Sequence, residues 1–321
     1  MEIKCRCDTL FESIEKHGDN IYCLEYLLRK KRFSTNVFNR SNEAPLIVCS
    51  KLGYPFSIKL LLNYGANPSE RYLNKLCIYY SIIIDNIDCV HTLLNFGNWY
   101  VTQDDIYSFF DTAKSIEMLK CLKLFEFNLN ANVVYTESFR MFPILKKYID
   151  DKNISKIDMF LKAGANPHCD LEFNRTITLY YYALNERNFE LLKCFIDNGI
   201  NPKIFIEFSY DDKLSLLKYF IGNVEAVKYL LEKGVDPNII EDNNIPILFH
   251  LARELSNCDI ENAKIIASLL IDYGVDKTLI HKSKNIYEQL TSSFSRPASF
   301  QLAEHILNYH PLPEIKKPSG E

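Results

Sequence analysis

The sequence contains no long hydrophobic run. Its longest apolar segment, CIYYSIII at residues 77–84, is far shorter than the ~18 residues that a membrane-spanning helix needs. The N-terminal stretch MEIKCRCDTLFESIE carries too many charged residues for a secretory signal peptide. The usual signatures of membrane and secreted proteins are therefore missing, and the sequence predicts a cytoplasmic protein.

A strong excess of charge of either sign is also missing. The 321 residues are 24% charged and 47% hydrophobic, with a net charge of -4, which is a globular composition with ample apolar material for a core. No broad positive field exists to attract nucleic acid or anionic lipid. The composition therefore predicts that neither nucleic acid nor a membrane is a partner.

Glycine is scarce, with ten residues in the whole chain, and no glycine-rich phosphate-binding loop occurs. A nucleophile elbow and a paired-histidine metal motif are absent too. The sequence therefore predicts a protein that is not an enzyme and that needs no cofactor or metal. The alternative is an enzyme with a site hidden among its helices, which would show as a pocket with converging titratable residues.

The ten cysteines are scattered, and most fall in helix-like segments, as Cys49, Cys89, Cys121 and Cys194 do. Free cysteine behaves as a small buried hydrophobic residue, so this distribution predicts free thiols in a reducing compartment.

One group near the N-terminus has metal-binding side chains. Cys5, Cys7, His17 and Cys23 give the pattern C-x-C-x9-H-x5-C, which matches no established spacing of zinc ligands. The pattern therefore predicts a capping helix pair with ordinary buried thiols rather than a zinc site.

A phrase ending in glycine recurs along the chain. GNVEAVKYLLEKGVDPN at residues 222–238 has counterparts that end in GANP at residues 65–68 and 164–167 and in GINP at residues 199–202. The closing glycines lie roughly 33 residues apart, with one missing between Gly97 and Gly164, and this interval is typical of a stacked solenoid.

Each repeat predicts two short helices. In VEAVKYLLEKG, Val224, Val227, Leu230 and Leu231 fall on one stripe at helical spacing. The glycine that follows permits a left-handed backbone at the helix end, and the proline three residues later prevents further helix. The preceding ten residues, such as APLIVCSKLG at 44–53 and KLSLLKYFIG at 213–222, form the first helix.

These features resemble the ankyrin-repeat family. The resemblance rests on Pro45 and Leu46, on Gly53 and Gly222 between the helices, and on the phrases that end at Gly65, Gly164, Gly199 and Gly234. The family's Thr-Pro-Leu-His box is nearly absent, so the turns need other contacts. The resemblance implies an all-α solenoid with outward loops or short β-hairpin fingers.

The implied array covers residues 1–310, with capping units at both ends and a flexible tail at 311–321. It contains about nine helix pairs, which end near residues 33, 65, 97, 127, 164, 199, 234, 274 and 309. The fourth pair lacks its glycine. The segments at 128–138 and 203–210 are candidates for projecting fingers, and KIFIEFSY at 203–210 alternates enough to form a strand pair.

In this family the loops and first helices form a concave face, and the resemblance implies protein binding there. Counting backward from each inter-helix turn places apolar residues at both ends of that face and acidic residues at its centre. The predicted partner-binding residues are Leu52, Ile83, Ile84, Asp150, Asp151, Asn185, Glu186, Phe220 and Ile221. A register error of one residue would instead bury the isoleucines.

Two further features leave alternatives open. Trp99, the single tryptophan, follows Gly97 in an outward loop, where it is either an interface anchor or a plug beside the irregular fourth repeat. The basic run from Arg29 to Arg32 is either a solvated helix end or a nuclear localisation signal.

The leading functional prediction is a monomeric, non-enzymatic protein that binds another protein through its concave face. The composition and the eroded repeats resemble ankyrin proteins of poxviruses and intracellular bacteria, which implies a host regulatory protein as the partner. The alternative is the substrate-recruiting part of a ubiquitin-ligase adaptor, because residues 312–315, LPEI, resemble the opening of an F-box-like segment.

Overall fold

The computed structural model describes most of the chain. The described residues are 7–30, 32–96, 100–125, 132–134, 141–167, 170–172, 175–178, 184, 188–203, 205–209, 212–238, 245–254, 259–281, 283–293 and 297–311. They divide into two compact units, Met1–Tyr180 and Tyr181–Glu321. The prediction of a single array over residues 1–310 stays a prediction.

The first unit contains short helices with two-stranded hairpins between some of them. Its elements are α1 (Leu10–His17), α2 (Ile21–Lys30), α3 (Pro45–Leu52), α4 (Pro55–Asn63), β1 (Arg71–Tyr72), β2 (Lys75–Leu76), α5 (Cys77–Ile83), α6 (Ile87–Asn95), α7 (Gln103–Thr112), α8 (Ile116–Leu124), β3 (Asn132–Val134), β4 (Met141–Pro143), α9 (Ile144–Asp150), α10 (Ile154–Lys162), β5 (Asp170–Glu172) and β6 (Arg175–Thr178).

The helices of the first unit form two layers. The first helices α1, α3, α5 and α7 pack side by side, and the second helices α2, α4, α6, α8 and α10 pack in a parallel row. Because each thin pair buries its apolar stripe only against its neighbours, this stacking is what stabilises the unit. The two-helix repeat predicted from the sequence is confirmed.

The second unit repeats the arrangement. Its elements are α11 (Phe189–Asp197), β7 (Phe205–Ser209), β8 (Asp212–Ser215), α12 (Leu216–Tyr219), α13 (Val224–Glu232), α14 (Ile247–Glu254), α15 (Ile260–Asp272), α16 (Ile286–Ser293) and α17 (Pro297–Asn308). The second helices α13, α15 and α17 pack in sequence, and α14 packs on α16.

The predicted helix ends agree with the structure. The second helices end at Lys30, Asn63, Asn95, Leu124, Lys162, Asp197, Glu232, Asp272 and Asn308, each within a few residues of the predicted position. Gly234 has φ +83°, and the amide of the next residue, Val235, donates to the Leu230 carbonyl at 3.1 Å. In the corresponding turn, the Val275 amide donates to the Leu270 carbonyl at 2.9 Å. The closing glycine therefore ends the helix by adopting the left-handed conformation.

The fingers are β-hairpins, and β1–β2, β3–β4 and β7–β8 each join a second helix to the next first helix. In β1–β2, Arg71 pairs with Leu76 and Tyr72 with Lys75, and the two turn residues Leu73 and Asn74 both have positive φ. This is the turn whose twist suits a two-residue hairpin. Hairpins also form in β3–β4, β5–β6 and β7–β8.

One predicted helix is shorter than expected. The sequence predicts helix over residues 213–222, but residues 212–215 form β8, and α12 covers only Leu216–Tyr219. The strand pairing with β7 occupies these residues, and Ser215 then caps the helix by accepting a hydrogen bond from the Lys218 amide at 3.2 Å. The finger predicted at 203–210 is confirmed in part, because residues 205–209 supply β7 and the partner strand β8 follows at 212–215.

The predicted free thiols are confirmed in part. Cys49, Cys89 and Cys121 are buried free cysteines of the helical core. Burial raises the pKa of Cys89 to about 12, so the thiol stays protonated. Cys23 differs from the prediction, because it is disulfide-bonded.

Candidate partner-binding surface

Tyrosines and lysines meet on the side of the first unit that the first helices and the β1–β2 finger share. Lys51 Nζ, at the end of α3, lies 4.0 Å from the centroid of the Tyr72 ring and 4.9 Å from that of Tyr80. The Tyr80 hydroxyl donates a 2.6 Å hydrogen bond to the Tyr72 carbonyl. Burial raises the pKa of Tyr80 to about 12, so this hydroxyl remains a donor at neutral pH. These contacts join α3, β1 and α5.

The contacts between tyrosines and lysines continue toward α7. Lys75 Nζ lies 4.9 Å from the Tyr79 ring centroid and donates to Ser108 Oγ on α7 at 2.6 Å. The β1–β2 finger is held by a bidentate ion pair, in which Arg71 Nη1 and Nη2 donate to Asp105 Oδ1 and Oδ2 at 2.9 and 2.7 Å. This pairing fixes the finger against the following repeat, because planar bidentate contacts restrict orientation.

Further along, α7 meets α9. Lys147 Nζ lies 4.8 Å from the Tyr107 ring centroid and 3.0 Å from Asp111 Oδ1. The Tyr148 hydroxyl donates to the same carboxylate oxygen at 3.0 Å. Lys156 also contacts this group, because its Nζ donates to the Asp111 carbonyl at 2.9 Å. Burial lowers the pKa of this amine.

We call this surface the tyrosine–lysine row and define it by Lys51, Tyr72, Lys75, Tyr79, Tyr80, Tyr107 and Lys147. All its members are half-buried, so their positions are fixed while one side remains accessible. Tyrosine is enriched in protein interfaces because its rigid ring gives contact area and its hydroxyl gives a hydrogen bond. Chemically, such a row can recognise a protein surface.

Two predicted binding residues lie at the turn end of this row. Leu52 is 47% exposed and Ile84 is 42% exposed. Ile84 directly follows α5, and its amide donates to the Tyr80 carbonyl at 3.4 Å, so both residues lie on the same side at this end of the helix. Ile83 is half-buried, and the alternative of two buried isoleucines is therefore wrong for Ile84. The binding role of these residues stays a prediction.

The predicted acidic pair is exposed. Asp150 and Asp151 follow one another at the end of α9, and Asp150 Oδ2 accepts from Lys146 Nζ at 2.7 Å. This exposed i,i+4 pair contributes little to stability, and no described contact joins it to the tyrosine–lysine row. A partner-binding role for Asp150 and Asp151 stays a prediction.

The predicted exposure of Phe220 and Ile221 is wrong. Both are buried, with exposed fractions of 5% and 3%. The Phe220 ring packs edge-on against Phe189, with centroids 6.2 Å apart, and against Tyr219 at 5.1 Å. The reason is the short α12, which ends one residue before Phe220 and places the aromatic ring between neighbouring helices rather than on the surface.

Three other predicted binding residues, Trp99, Asn185 and Glu186, lie outside the described residues. The same holds for Cys5, for Lys31 within the basic run, and for the LPEI segment on which the adaptor alternative rests. Arg29 and Lys30 form the last turn of α2, and both are exposed, which agrees with a solvated helix end.

Sequence reasoning missed the row itself. Counting backward from the turns selected residues 83 and 84 at the end of α5, whereas Tyr79 and Tyr80 lie one helical turn earlier. The adjacent tyrosines at 79–80 were the available signal in the sequence.

The alternative of a catalytic site hidden among the helices stays a prediction. Near the end of the second unit, one open groove is lined by titratable side chains, among them Glu304, His305 and Tyr309. The other groove, of about 390 Å³, is lined mainly by aliphatic side chains. The titratable groups in its lining are Lys277 and Tyr287, and this pair lacks the carboxylate or histidine that general acid–base chemistry uses most. Within the described ranges, no helix is long and apolar enough to span a membrane.

Comparison with known proteins finds similarity among solved structures. No family model and no curated protein matches the chain. The human ASB11 ankyrin repeat domain is 17% identical, with 61% of this chain and 86% of that chain covered and a TM-score of 0.41. An ankyrin repeat domain from Acinetobacter baumannii AYE is 18% identical, with 71% and 95% covered and a TM-score of 0.40. An ankyrin repeat protein from Leishmania major is 13% identical, with 81% and 95% covered and a TM-score of 0.41.

Proposed function

We propose that this chain is a non-enzymatic protein-interaction module that binds a partner protein through the tyrosine–lysine row of its first unit. The row carries the proposal, because it joins side chains from α3, the β1–β2 finger, α5, α7 and α9 on one side of the stacked repeats. A surface built from several consecutive repeats is how solenoid folds recognise partners.

The energetics favour a protein partner. The half-buried tyrosines of the row are already ordered by hydrogen bonds and ring contacts, so binding orders few additional side chains. Leu52 and Ile84 add exposed apolar area beside them. Apolar area next to fixed polar groups is the composition of an interface. A partner would cover the aliphatic pair with apolar side chains and accept hydrogen bonds from the lysines.

A paired-variant capture experiment tests this proposal. The test variant combines Leu52→Asp with Ile84→Asp, and the control combines Tyr22→Asp with Phe56→Asp. Tyr22 and Phe56 are 68% and 65% exposed and lie on the second helices α2 and α4, away from the row. Each variant places two carboxylates at exposed positions, so both have the same change of charge.

We expect the wild type and the control to capture the same partner from host-cell lysate and the test variant to lose it, with equal melting temperatures for all three. The resemblance in composition to host-directed proteins makes host regulatory proteins the first class to screen. Capture by the test variant at wild-type level would contradict the proposed surface, and loss by the control alone would move the interface to the second helices.

A further inference from the structure

Three side chains with metal-binding chemistry meet at the N-terminal end of the first unit. Cys7 precedes α1, His17 is the last residue of α1, and Cys23 lies in the first turn of α2. Their ligand atoms all lie within 4.8 Å of one another. Cys7 Sγ and His17 Nε2 are 3.5 Å apart.

The local fold explains this convergence. The Thr9 side chain caps α1 by accepting from the Glu12 amide, and Gly18, with φ +58°, ends the helix directly after His17. The chain then reverses within a few residues into α2, which packs against α1. The reversal brings the C-terminal end of α1 beside the first turn of α2, and Cys7, before α1, contacts His17 at that end.

The distances fit a tetrahedral zinc ion. With Zn–S of about 2.3 Å and Zn–N of about 2.0 Å, a tetrahedral site separates a sulfur from a nitrogen ligand by about 3.6 Å. The observed 3.5 Å between Cys7 Sγ and His17 Nε2 is close to this edge. The 4.8 Å limit for the whole group exceeds it by about an ångström, which small rotations of the side chains would remove.

Burial also suits a structural ion. Cys7 and Cys23 are 2% and 7% exposed, whereas His17 is exposed. The two sulfurs therefore lie inside the cap, and the imidazole edge gives an ion a path from solvent. Thiolate and imidazole are the ligands that zinc prefers in structural sites.

We propose that the reduced chain binds one Zn²⁺ ion through Cys7 Sγ, His17 Nε2 and Cys23 Sγ. The ion joins α1, α2 and the segment before α1, and it stabilises the N-terminal cap of the first unit. Established spacings of zinc ligands do not include this pattern, but the fold brings these three side chains together from three places in the sequence.

Reduction must come first, because Cys23 is disulfide-bonded in this structure. A phosphine reductant converts the disulfide to two thiols, which gain two electrons and two protons, and the phosphine takes oxygen from water to become its oxide. Zinc then displaces one proton from Cys7 and one from Cys23, so both bind as thiolates, while His17 binds as the neutral imidazole.

The test uses the full chain reduced with a phosphine, loaded with Co²⁺ or Zn²⁺ and desalted. We expect about one metal ion per chain by mass spectrometry. The Co²⁺ form should show thiolate-to-metal charge transfer and the ligand-field bands of a tetrahedral site. Zn²⁺ should raise the melting temperature of the reduced protein, because an ion that binds the folded state stabilises it. The unreduced protein should show none of these effects.

Two variants test whether His17 and Cys7 bind the ion, and each has a matched control. His17→Gln should lose the bound ion, whereas His91→Gln, at another exposed helical histidine, should keep it. Cys7→Ala should lose the charge-transfer band, whereas Cys121→Ala, at a thiol that is 5% exposed, should retain it.

Because His17 is exposed, its variant decides the matter even where Cys7→Ala fails to fold. Reduced wild-type protein without bound metal, or a His17→Gln spectrum equal to that of the wild type, would overturn the proposal. Equal binding by the unreduced protein would overturn the role of Cys23.

Discussion

An aspartate fastens neighbouring repeats in each unit, but the two aspartates lie in different surroundings. Asp105 of α7 is 4% exposed and accepts hydrogen bonds from the Arg71 guanidinium and from the side chain and amide of Thr102. Asp197 at the end of α11 is exposed and accepts from the Tyr229 hydroxyl at 2.7 Å and from Lys233 Nζ at 2.8 Å.

From this difference we expect that burial, rather than the number of partners, decides how much such a contact contributes to the free energy of unfolding. Burial alone would raise the pKa of Asp105, but the hydrogen bonds from Arg71 and Thr102 lower it to about 2. Burial also acts to raise the pKa of Asp197, but the hydrogen bonds from Lys233 and Tyr229 outweigh it, so the pKa is lowered. Water screens the exposed pair, so its contribution to the free energy of unfolding is small.

The largest predicted effect comes from Asp105→Asn. The amide keeps the shape but loses the charge, and the Arg71 guanidinium loses its partner. Lowering the pKa from 3.8 to about 2 corresponds to about 2 kcal/mol of stability at neutral pH. We therefore expect urea unfolding of the first unit to show a loss of about 2 kcal/mol at pH 7.

The pH dependence of this loss has a definite sign. The folded-state pKa is below the unfolded value, so the stabilisation is present above about pH 4 and disappears as the pH falls toward 2. Asp104→Asn is the matched control, because Asp104 is exposed in the same helical turn and should cost about 0.5 kcal/mol through the helix dipole. Equal losses in the two variants at pH 7, or a difference between them as large at pH 2 as at pH 7, would contradict the role of the Asp105 ion pair.

The inter-helix glycines extend the comparison to the turns. Gly53 has φ +75°, and a Cβ there would lie 2.9 Å from Asn86 Nδ2 and 3.1 Å from Ile84 Cδ1. Gly222 lacks a positive φ, and a Cβ there would meet nothing within 4 Å. The turn of the first unit is therefore crowded, whereas the corresponding turn of the second is open.

We expect Gly53→Ala to destabilise the first unit by about 1–2 kcal/mol, since alanine is strained in the left-handed region and must displace Asn86, which caps α6. Gly222→Ala should be neutral or stabilise by about 0.5 kcal/mol, because it restricts the unfolded chain without strain. Thermal unfolding measures both. A loss at Gly222 as large as at Gly53 would show that the two turns are equivalent after all.

These turns also show what the sequence can and cannot predict. The period and the helix ends follow from glycines such as Gly65 and Gly234, because the left-handed helix end is a local requirement of the backbone. The exposure of the residues just before the inter-helix turn depends on the length of the first helix. Counting backward from the turn works for Leu52, where α3 has eight residues, and fails for Phe220, where α12 has four.

The tyrosine–lysine row lay beyond local reasoning for another reason. Lys51 meets Tyr72 only because the hairpin folds back over α3, and Lys75 reaches Ser108 on the following repeat. Contacts between residues so far apart depend on finger geometry that no single repeat encodes. The convergence of Cys7, His17 and Cys23 depends in the same way on the turn at Gly18.

The smallest predicted effect tests the exposed aspartate of the second unit. Tyr229→Phe keeps the ring but removes the hydroxyl that donates to Asp197 Oδ1. We expect a loss of about 0.5–1 kcal/mol, because Lys233 still pairs with the carboxylate. Hydrogen exchange of the amides in α11 and α13 would measure it locally.

Tyr273→Phe is the control, since the described residues provide no hydrogen-bond partner for the Tyr273 hydroxyl and the change should lie within about 0.5 kcal/mol of the wild type. A Tyr229→Phe loss as large as that of Asp105→Asn would break the comparison, because an exposed contact would then stabilise as much as a buried one. A loss equal to that of Tyr273→Phe would show that Lys233 alone holds Asp197, and that the hydroxyl only fills the remaining acceptor position.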